Sequence, residues 1–190
     1  TPFFGYAHAF QKELNNPVSP FPVRGFHLDL RIQAIPMPAL KKLALQLVKG
    51  GINTLVMEWE ATYPYQNEPL IPNRFAYTRD EVKAFIAYCG SIKLDVIPLQ
   101  QSFGHVEYIL RNPKYKDLRE DQKDYSQVNP IREAEAKKLF TTLYQDLIST
   151  HNSPYIHIGG DETYLLGHSE ESKKKIKAVG IGRLYGDYIK

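Results

Sequence analysis

The sequence has a single cysteine, Cys89, among 190 residues. That excludes a disulfide within these residues and any site built from several cysteines. Cys89 lies in a helix-like run and reads as a small buried apolar residue. No apolar run reaches the roughly 18 residues a membrane-spanning helix needs, so no span is expected. Charge of one sign is also scarce: 24 Lys and Arg against 21 Asp and Glu leave a net +3, spread along the chain. The one basic cluster, Lys173-Lys174-Lys175 with Lys177, alternates with Ile176 as a solvated helix face does, so no nucleic-acid partner is expected. The opening Thr1-Pro2-Phe3-Phe4 lacks the pattern of a secretory signal. A processed chain would have lost one, so cytoplasmic, periplasmic and secreted locations all fit. No internal repeat or low-complexity segment occurs.

What is present is a globular composition, 43% hydrophobic and 24% charged, with 13 Tyr. Tyrosine faces suit sugar-ring stacking and ordinary cores alike. Residues 1–22, with Pro2, Pro17, Pro20 and Pro22, read as a lead-in segment with one helical turn near Ala9–Leu14. Strands are expected at Val23–Leu30, Ile52–Trp59, Leu94–Leu99 and Tyr155–Ile158. Helices are expected from about Pro38 to Lys49, from a Thr78/Glu81 capping box to Cys89 with Gly90 as the stop, over about Ile131–Ser149, and from about Ser169, with Gly180 as an interruption. On the third of these helices Ala134, Leu139, Leu143, Leu147 and Ile148 form the apolar side. The charged stretch before it reads as a surface excursion.

Strand–helix alternation implies parallel strands and right-handed crossovers. It fits a small open doubly wound sheet or half of a (β/α)₈ barrel, which as a whole needs about 250 residues. Polar residues decide between them. Glu58/Glu60, Gln100/Gln101/His105 and Asp161/Glu162 all stand at the carboxyl ends of different strands, the face on which a barrel collects its active site. An open sheet more often carries a glycine-rich phosphate loop after its first strand, and none follows Leu30. The expected fold is therefore α/β, of parallel TIM-barrel type. Residues 23–190 would form the amino-terminal half, about four βα units, with unpaired sheet edges through which copies could self-associate.

Asp161 and Glu162 follow the turn Gly159-Gly160. Adjacent carboxylates disfavour each other's ionisation, so they are either caps of the next helix or in use. Consecutive residues leaving a strand point in different directions. They cannot straddle one glycosidic bond at the roughly 5–10 Å that paired glycosidase carboxyls keep. They can divide labour, one as acid/base and one holding a polar group of the substrate. A metal site from His157, Asp161 and Glu162 lacks a second histidine, and no metal or organic cofactor is expected.

Three motifs carry a resemblance. His157-Ile158-Gly159-Gly160-Asp161-Glu162 resembles the H-x-G-G-D-E signature of glycoside hydrolase family 20, the β-N-acetylhexosaminidases. Arg24-Gly25-Phe26-His27-Leu28-Asp29 resembles the family's first-strand R-G-x-x-L-D, and the stretch from Val96 to Gly104-His105 its third-strand segment. Glu58-Trp59-Glu60, Tyr63-Pro64-Tyr65 and Gln101-Ser102-Phe103-Gly104-His105 are most similar to the hexosaminidase D branch. The resemblance implies a retaining exo-enzyme acting on a terminal β-linked N-acetylhexosamine by substrate-assisted catalysis. Glu162 would be the acid/base and Asp161 the partner of the acetamido N–H. Arg24 would bind sugar hydroxyls, with Asp29 as its alternative structural partner. His105 would tune the acid pair, Glu60 would be an acidic partner, Trp59 would stack or pack, and His157 would stand behind the site. Many family members carry a His and an Asp where this chain has Glu58-Trp59-Glu60. The family's acetamido-polarising tyrosine, pocket tryptophan and hydroxyl-binding acid lie in the second half of its barrel. A non-catalytic carbohydrate-binding or structural half-barrel fragment is the alternative reading.

Overall fold

The computed structural model describes residues 19–190, so the expected helical turn near Ala9–Leu14 lies outside the described residues. Three parallel strands form a sheet in the order β1 (Gly25–Asp29), β2 (Thr54–Glu58), β3 (Asp95–Leu99). They are joined by α1 (Met37–Lys49) and α2 (Arg79–Ser91). The short α3 (Glu107–Leu110), then α4 (Glu133–Ile148), α5 (Glu170–Val179) and α6 (Ile181–Ile189) follow. Gly180, at φ 86°, separates the last two.

Helices α1 and α2 begin where the sequence offers a start. Pro38 occupies the first turn of α1, where a missing N–H costs nothing. Thr78 and Glu81 form the reciprocal capping box ahead of α2. Gly90 does not stop that helix. It continues to Ser91, and the chain turns at Lys93, φ 62°, so that the Leu94 N–H reaches the Cys89 carbonyl.

The core lies under β2. Leu55 and Met57 meet Leu40 and Ala44 of α1 and Val82, Phe85 and Cys89 of α2 in one cluster. Burial pushes the Cys89 thiol up to about 12, so it is an inert packing residue. On α4 the buried face is Ala136, Leu139, Phe140, Leu143 and Leu147. Ala134 and Ile148, expected inside, are exposed, because Ile148 falls one step past that stripe and Ala134 two steps before it. The charged connection ahead of α4 is not an excursion. Tyr108, Ile109, Leu110, Tyr115, Leu118 and Val128 bury its apolar residues, and charge counts alone concealed them.

The expected fourth strand reduces to one parallel bridge, Leu99 with His157. The His157 N–H donates to Pro98 and its carbonyl accepts from Gln100, both at 2.9 Å. Pro154 precedes the segment and the Gly159 turn follows it, so little extended backbone is left to pair. Among the described residues this bridge is bonded on one side only, and β1 likewise pairs only with β2. The register places Asp29, Glu58, Leu99 and His157 in one row across the sheet.

Candidate active site

That row marks the carboxyl edge of the sheet, and the residues just beyond it form the candidate site. Three of them, Glu60 (φ 48°), His105 (φ 55°) and Glu162 (φ 51°), hold left-handed backbone without being glycine. Such conformations cost of order 1–3 kcal/mol each and persist where surroundings enforce them, commonly at functional sites. Gly159 and Gly160 are also left-handed, at φ 69° and 100°.

Two glycines let the loops meet. A Cβ on Gly104 would sit 2.4 Å from the Asp161 carbonyl oxygen, and one on Gly159 would sit 2.9 Å from the Gln101 Cα. The β3 exit loop therefore lies directly against the acid-bearing turn. Hydroxyls fix both. Ser102 donates to the Ile158 carbonyl, Tyr188 to the Ser102 carbonyl and Tyr185 to the Gly160 carbonyl, each at 2.7 Å. Helix α6 thus clamps the loops from behind. Gln100, buried beneath them, accepts from Tyr65 and donates to Tyr108. Burial raises both phenols above the ordinary tyrosine range, so both stay protonated.

The result brings His105 to the acid pair. Its Nε2 lies 2.8 Å from Glu162 Oε2 and 3.6 Å from Asp161 Oδ2. Both acids are more than half exposed, at 57% for Asp161 and 53% for Glu162. The other face of the His105 ring, Nδ1, lies 3.0 Å from Arg31 Nη1. Arg31 is a site residue that the sequence motifs did not single out. Its signal was the alternation Asp29-Leu30-Arg31, which sets two charged side chains on the same face of an extended segment.

Behind Arg31 stand three carboxylates. Its Nε lies 3.1 Å from Glu60 Oε1 and 3.6 Å from Asp29 Oδ2, and its Nη2 lies 3.9 Å from Glu58 Oε1. Burial works against the Arg31 charge, but Glu60, Asp29 and Glu58 together outweigh it and raise its pKa. Burial also pushes the Glu60 carboxyl up to about 8, against the pull of Arg31 and with the repulsion of Asp29 and Glu58. Glu58 is 2% exposed; Oε2 meets His27 Nε2 at 2.9 Å, and Oε1 has no hydrogen-bond partner. Ligand atoms of Asp29, Glu58 and Glu60 lie within 4.8 Å of one another, a spacing a cation could bridge. Arg31 already supplies positive charge to all three, so the set does not argue for a metal.

The remaining expected residues lie elsewhere. Arg24 precedes the first residue of β1, and its guanidinium donates to the carbonyls of Phe21 and Gly51 at the amino edge. Asp29 lies five residue steps further along the strand, roughly 16 Å at about 3.3 Å per residue. The structure therefore does not bring Arg24 to the acid pair, nor pair it with Asp29. Trp59 is 0% exposed and can stack on no ligand. It packs edge-on against Tyr77 and Phe85 and donates from Nε1 to His151 Nε2 at 3.0 Å. One residue of strand alternation turned it inward while Glu58 and Glu60 face the site. His157 is exposed rather than a core histidine, and its Nδ1 accepts the Gly159 N–H at 3.1 Å, bracing the turn. A cavity of about 960 Å³ is lined by the β3–α4 connection, α4 and α5 and contains none of these groups. The candidate site is placed by convergent chemistry, not by cavity size.

A parallel α/β sheet whose carboxyl edge gathers acids, a histidine and an arginine has the layout of barrel hydrolases. Residues 57–181 match the family model described as glycosyl hydrolase family 20, catalytic domain, and the chain belongs to that family. Human hexosaminidase D is 33% identical over 158 residues, covering 82% of this chain and 32% of the relative. The Bos taurus hexosaminidase D is 30% identical over 154 residues, covering 80% and 44%. The chain thus spans a third to under half of these relatives' length. Among solved structures, a chitobiase of Flavobacterium johnsoniae gives a TM-score of 0.72 at 17% identity, covering 89% of this chain and 29% of that one. A family 20 exo-β-N-acetylglucosaminidase of Vibrio harveyi, bound to N-acetylglucosamine, gives 0.71 at 16%, covering 88% and 32%. These structures share the fold.

Proposed function

We propose that this chain supplies the acid/base half of a retaining exo-β-N-acetylhexosaminidase that removes terminal β-linked N-acetylglucosamine or N-acetylgalactosamine. The observation that carries the reading is His105 Nε2 lying within 3.6 Å of both Asp161 and Glu162 at the carboxyl edge of the sheet. Protonated Glu162 gives its proton to the glycosidic oxygen as the bond to C1 breaks. The substrate's own acetamido oxygen attacks C1, and Asp161 accepts the acetamido N–H, stabilising the oxazolinium-like ion that forms. Ionised Glu162 then takes a proton from water as the water opens that ion, restoring the original configuration and the acid. Glu58 Oε1, buried without a partner, is an acceptor for a sugar hydroxyl, with Glu60 and Asp29 beside it. Arg24 and Trp59 have no role in this reading. Among the described residues β1 is bonded on one side only, which is in keeping with half of a (β/α)₈ barrel whose remaining strands would complete the pocket.

The test is thermal unfolding of the chain with and without an N-acetylglucosamine-thiazoline, an analogue of the oxazolinium ion. At about 100 times its dissociation constant a ligand adds roughly 2.7 kcal/mol to the folded state. An upward shift in Tm that Asp161→Ala abolishes supports the reading; no shift in a folded protein at millimolar ligand counts against a formed pocket. A second reading, sugar binding without turnover, is favoured by the exposure of both acids, which leaves them little desolvation to drive proton transfer.

A further inference from the structure

The His105 ring is gripped at both nitrogens, and the two grips are of different kinds. Nδ1 faces Arg31 Nη1 at 3.0 Å, and Nε2 faces Glu162 Oε2 at 2.8 Å with Asp161 Oδ2 at 3.6 Å. A guanidinium has only N–H donors and keeps its charge in proteins. The Nδ1 that meets it must therefore present a lone pair. A neutral imidazole carries one proton, which then sits on Nε2, the nitrogen beside the acids. An imidazolium would set an Nδ1–H against an N–H of Arg31, two donors face to face.

The geometry points to Arg31 as a positioning residue that fixes His105 in its Nε2–H tautomer, so that the ring donates to Glu162 Oε2 and leaves Oε1 to carry the acid's proton. Glu162 Oε1 accepts, at 3.4 Å, from the hydroxyl of the exposed Tyr164. Arg31 is itself held. Glu60, Asp29 and Glu58 surround its guanidinium, and its backbone N–H donates to Asp29 Oδ1 at 2.7 Å. Orientation therefore passes from the ends of β1 and β2, through Arg31 and His105, to the acid-bearing turn. Second partners of this kind set which ring nitrogen of a histidine carries the proton.

The consequence for Glu162 rests on the proposed function, but the tautomer does not, and the experiment reads the tautomer. Long-range ¹H–¹⁵N correlations from the imidazole C–H protons distinguish a protonated ring nitrogen from a bare one. They are recorded on the ¹⁵N-labelled 190-residue chain near neutral pH, with His105→Gln identifying the signal. The expected result is a protonated Nε2 and a bare Nδ1. In Arg31→Met this preference collapses to a mixture, whereas Arg31→Lys, which can still donate to Nδ1, retains it. A proton on Nδ1, or on both nitrogens, in the wild-type chain overturns the proposal. So does an unchanged Nε2–H tautomer in an Arg31→Met chain whose amide spectrum is otherwise native. Should that variant fail to fold, the wild-type spectrum alone decides. A chain that ignores the thiazoline yet shows the Nε2–H tautomer defeats the hexosaminidase reading only; a chain that binds it with the wrong tautomer defeats this proposal only.

Discussion

Replacing Glu162 with glutamine keeps the side chain's shape and removes its transferable proton. If Glu162 is the acid/base, turnover of an aryl N-acetylhexosaminide by the catalytically complete enzyme should fall by about 10²–10⁴-fold, the range a positioned proton donor contributes. The thiazoline-induced rise in Tm should survive, because Asp161 is untouched. Unimpaired turnover in the variant would remove Glu162 from the mechanism. Glu60 makes a separate, pH-dependent prediction. Its folded pKa is about 8, pushed up first by burial, against about 4.3 in an unfolded chain. Between those values the folded state holds a proton that the unfolded state has released, so stability falls as pH rises toward 8. His151 acts in the opposite sense. Burial pushes it down to about 4, and it contributes stability above about 6.5 that is lost as pH falls toward 4. From about pH 7.5 to 8.5 His151 is neutral both folded and unfolded, so that window isolates Glu60. Tm should decline across it in the wild-type chain and stay flatter in Glu60→Gln; identical profiles would show that Glu60 titrates normally.

At the scale of elements, the site depends on two loops lying backbone to backbone. Gly104→Ala would drive a Cβ against the Asp161 carbonyl, 2.4 Å away, where only backbone movement gives relief. We expect a loss of about 1–3 kcal/mol in stability, the usual range for overpacking, and loss of the thiazoline shift even where the chain remains folded. A native ligand response would mean that the turn carrying Asp161 is not held by this contact. Gly104-His105 was legible in the sequence as part of a strand-exit motif, as were three of the four strands, the α2 capping box and Cys89 as packing. Distance along a strand and side-chain facing were the harder matters. Arg24 lies in a motif with Asp29 yet sits at the sheet's other end. Trp59 lies between two site glutamates yet alternates inward. Arg31 was overlooked because its meaning depends on His105, 74 residues away, and no local period records such a pairing. Tyr185 and Tyr188, past the Gly180 interruption, give no local signal for the same reason: their hydroxyls act on loops distant in sequence.

For the molecule as a whole, the sheet edge at β1 is the feature from which a prediction about behaviour in solution follows. Within the described residues its free side has no strand partner, and its surface carries Phe26, 39% exposed, with Val23 beside it, 65% exposed. Edge strands with unpaired backbone groups and exposed apolar side chains recruit other strands; the one carboxylate of β1, Asp29, lies at its last residue. A second copy of the chain can meet this edge through a twofold axis, β1 antiparallel to β1, so that each strand satisfies the other's backbone groups. The chain should therefore self-associate: sedimentation velocity over a hundredfold range of concentration should give a mass that rises toward a dimer. Phe26→Lys places a charge on that edge and should keep the chain monomeric while leaving the His105 imidazole signals unchanged. A constant monomer mass in the wild-type chain would overturn this expectation. An association unaffected by Phe26→Lys would shift it to the opposite side, where Tyr155 and Ile158 flank the one-sided His157 bridge.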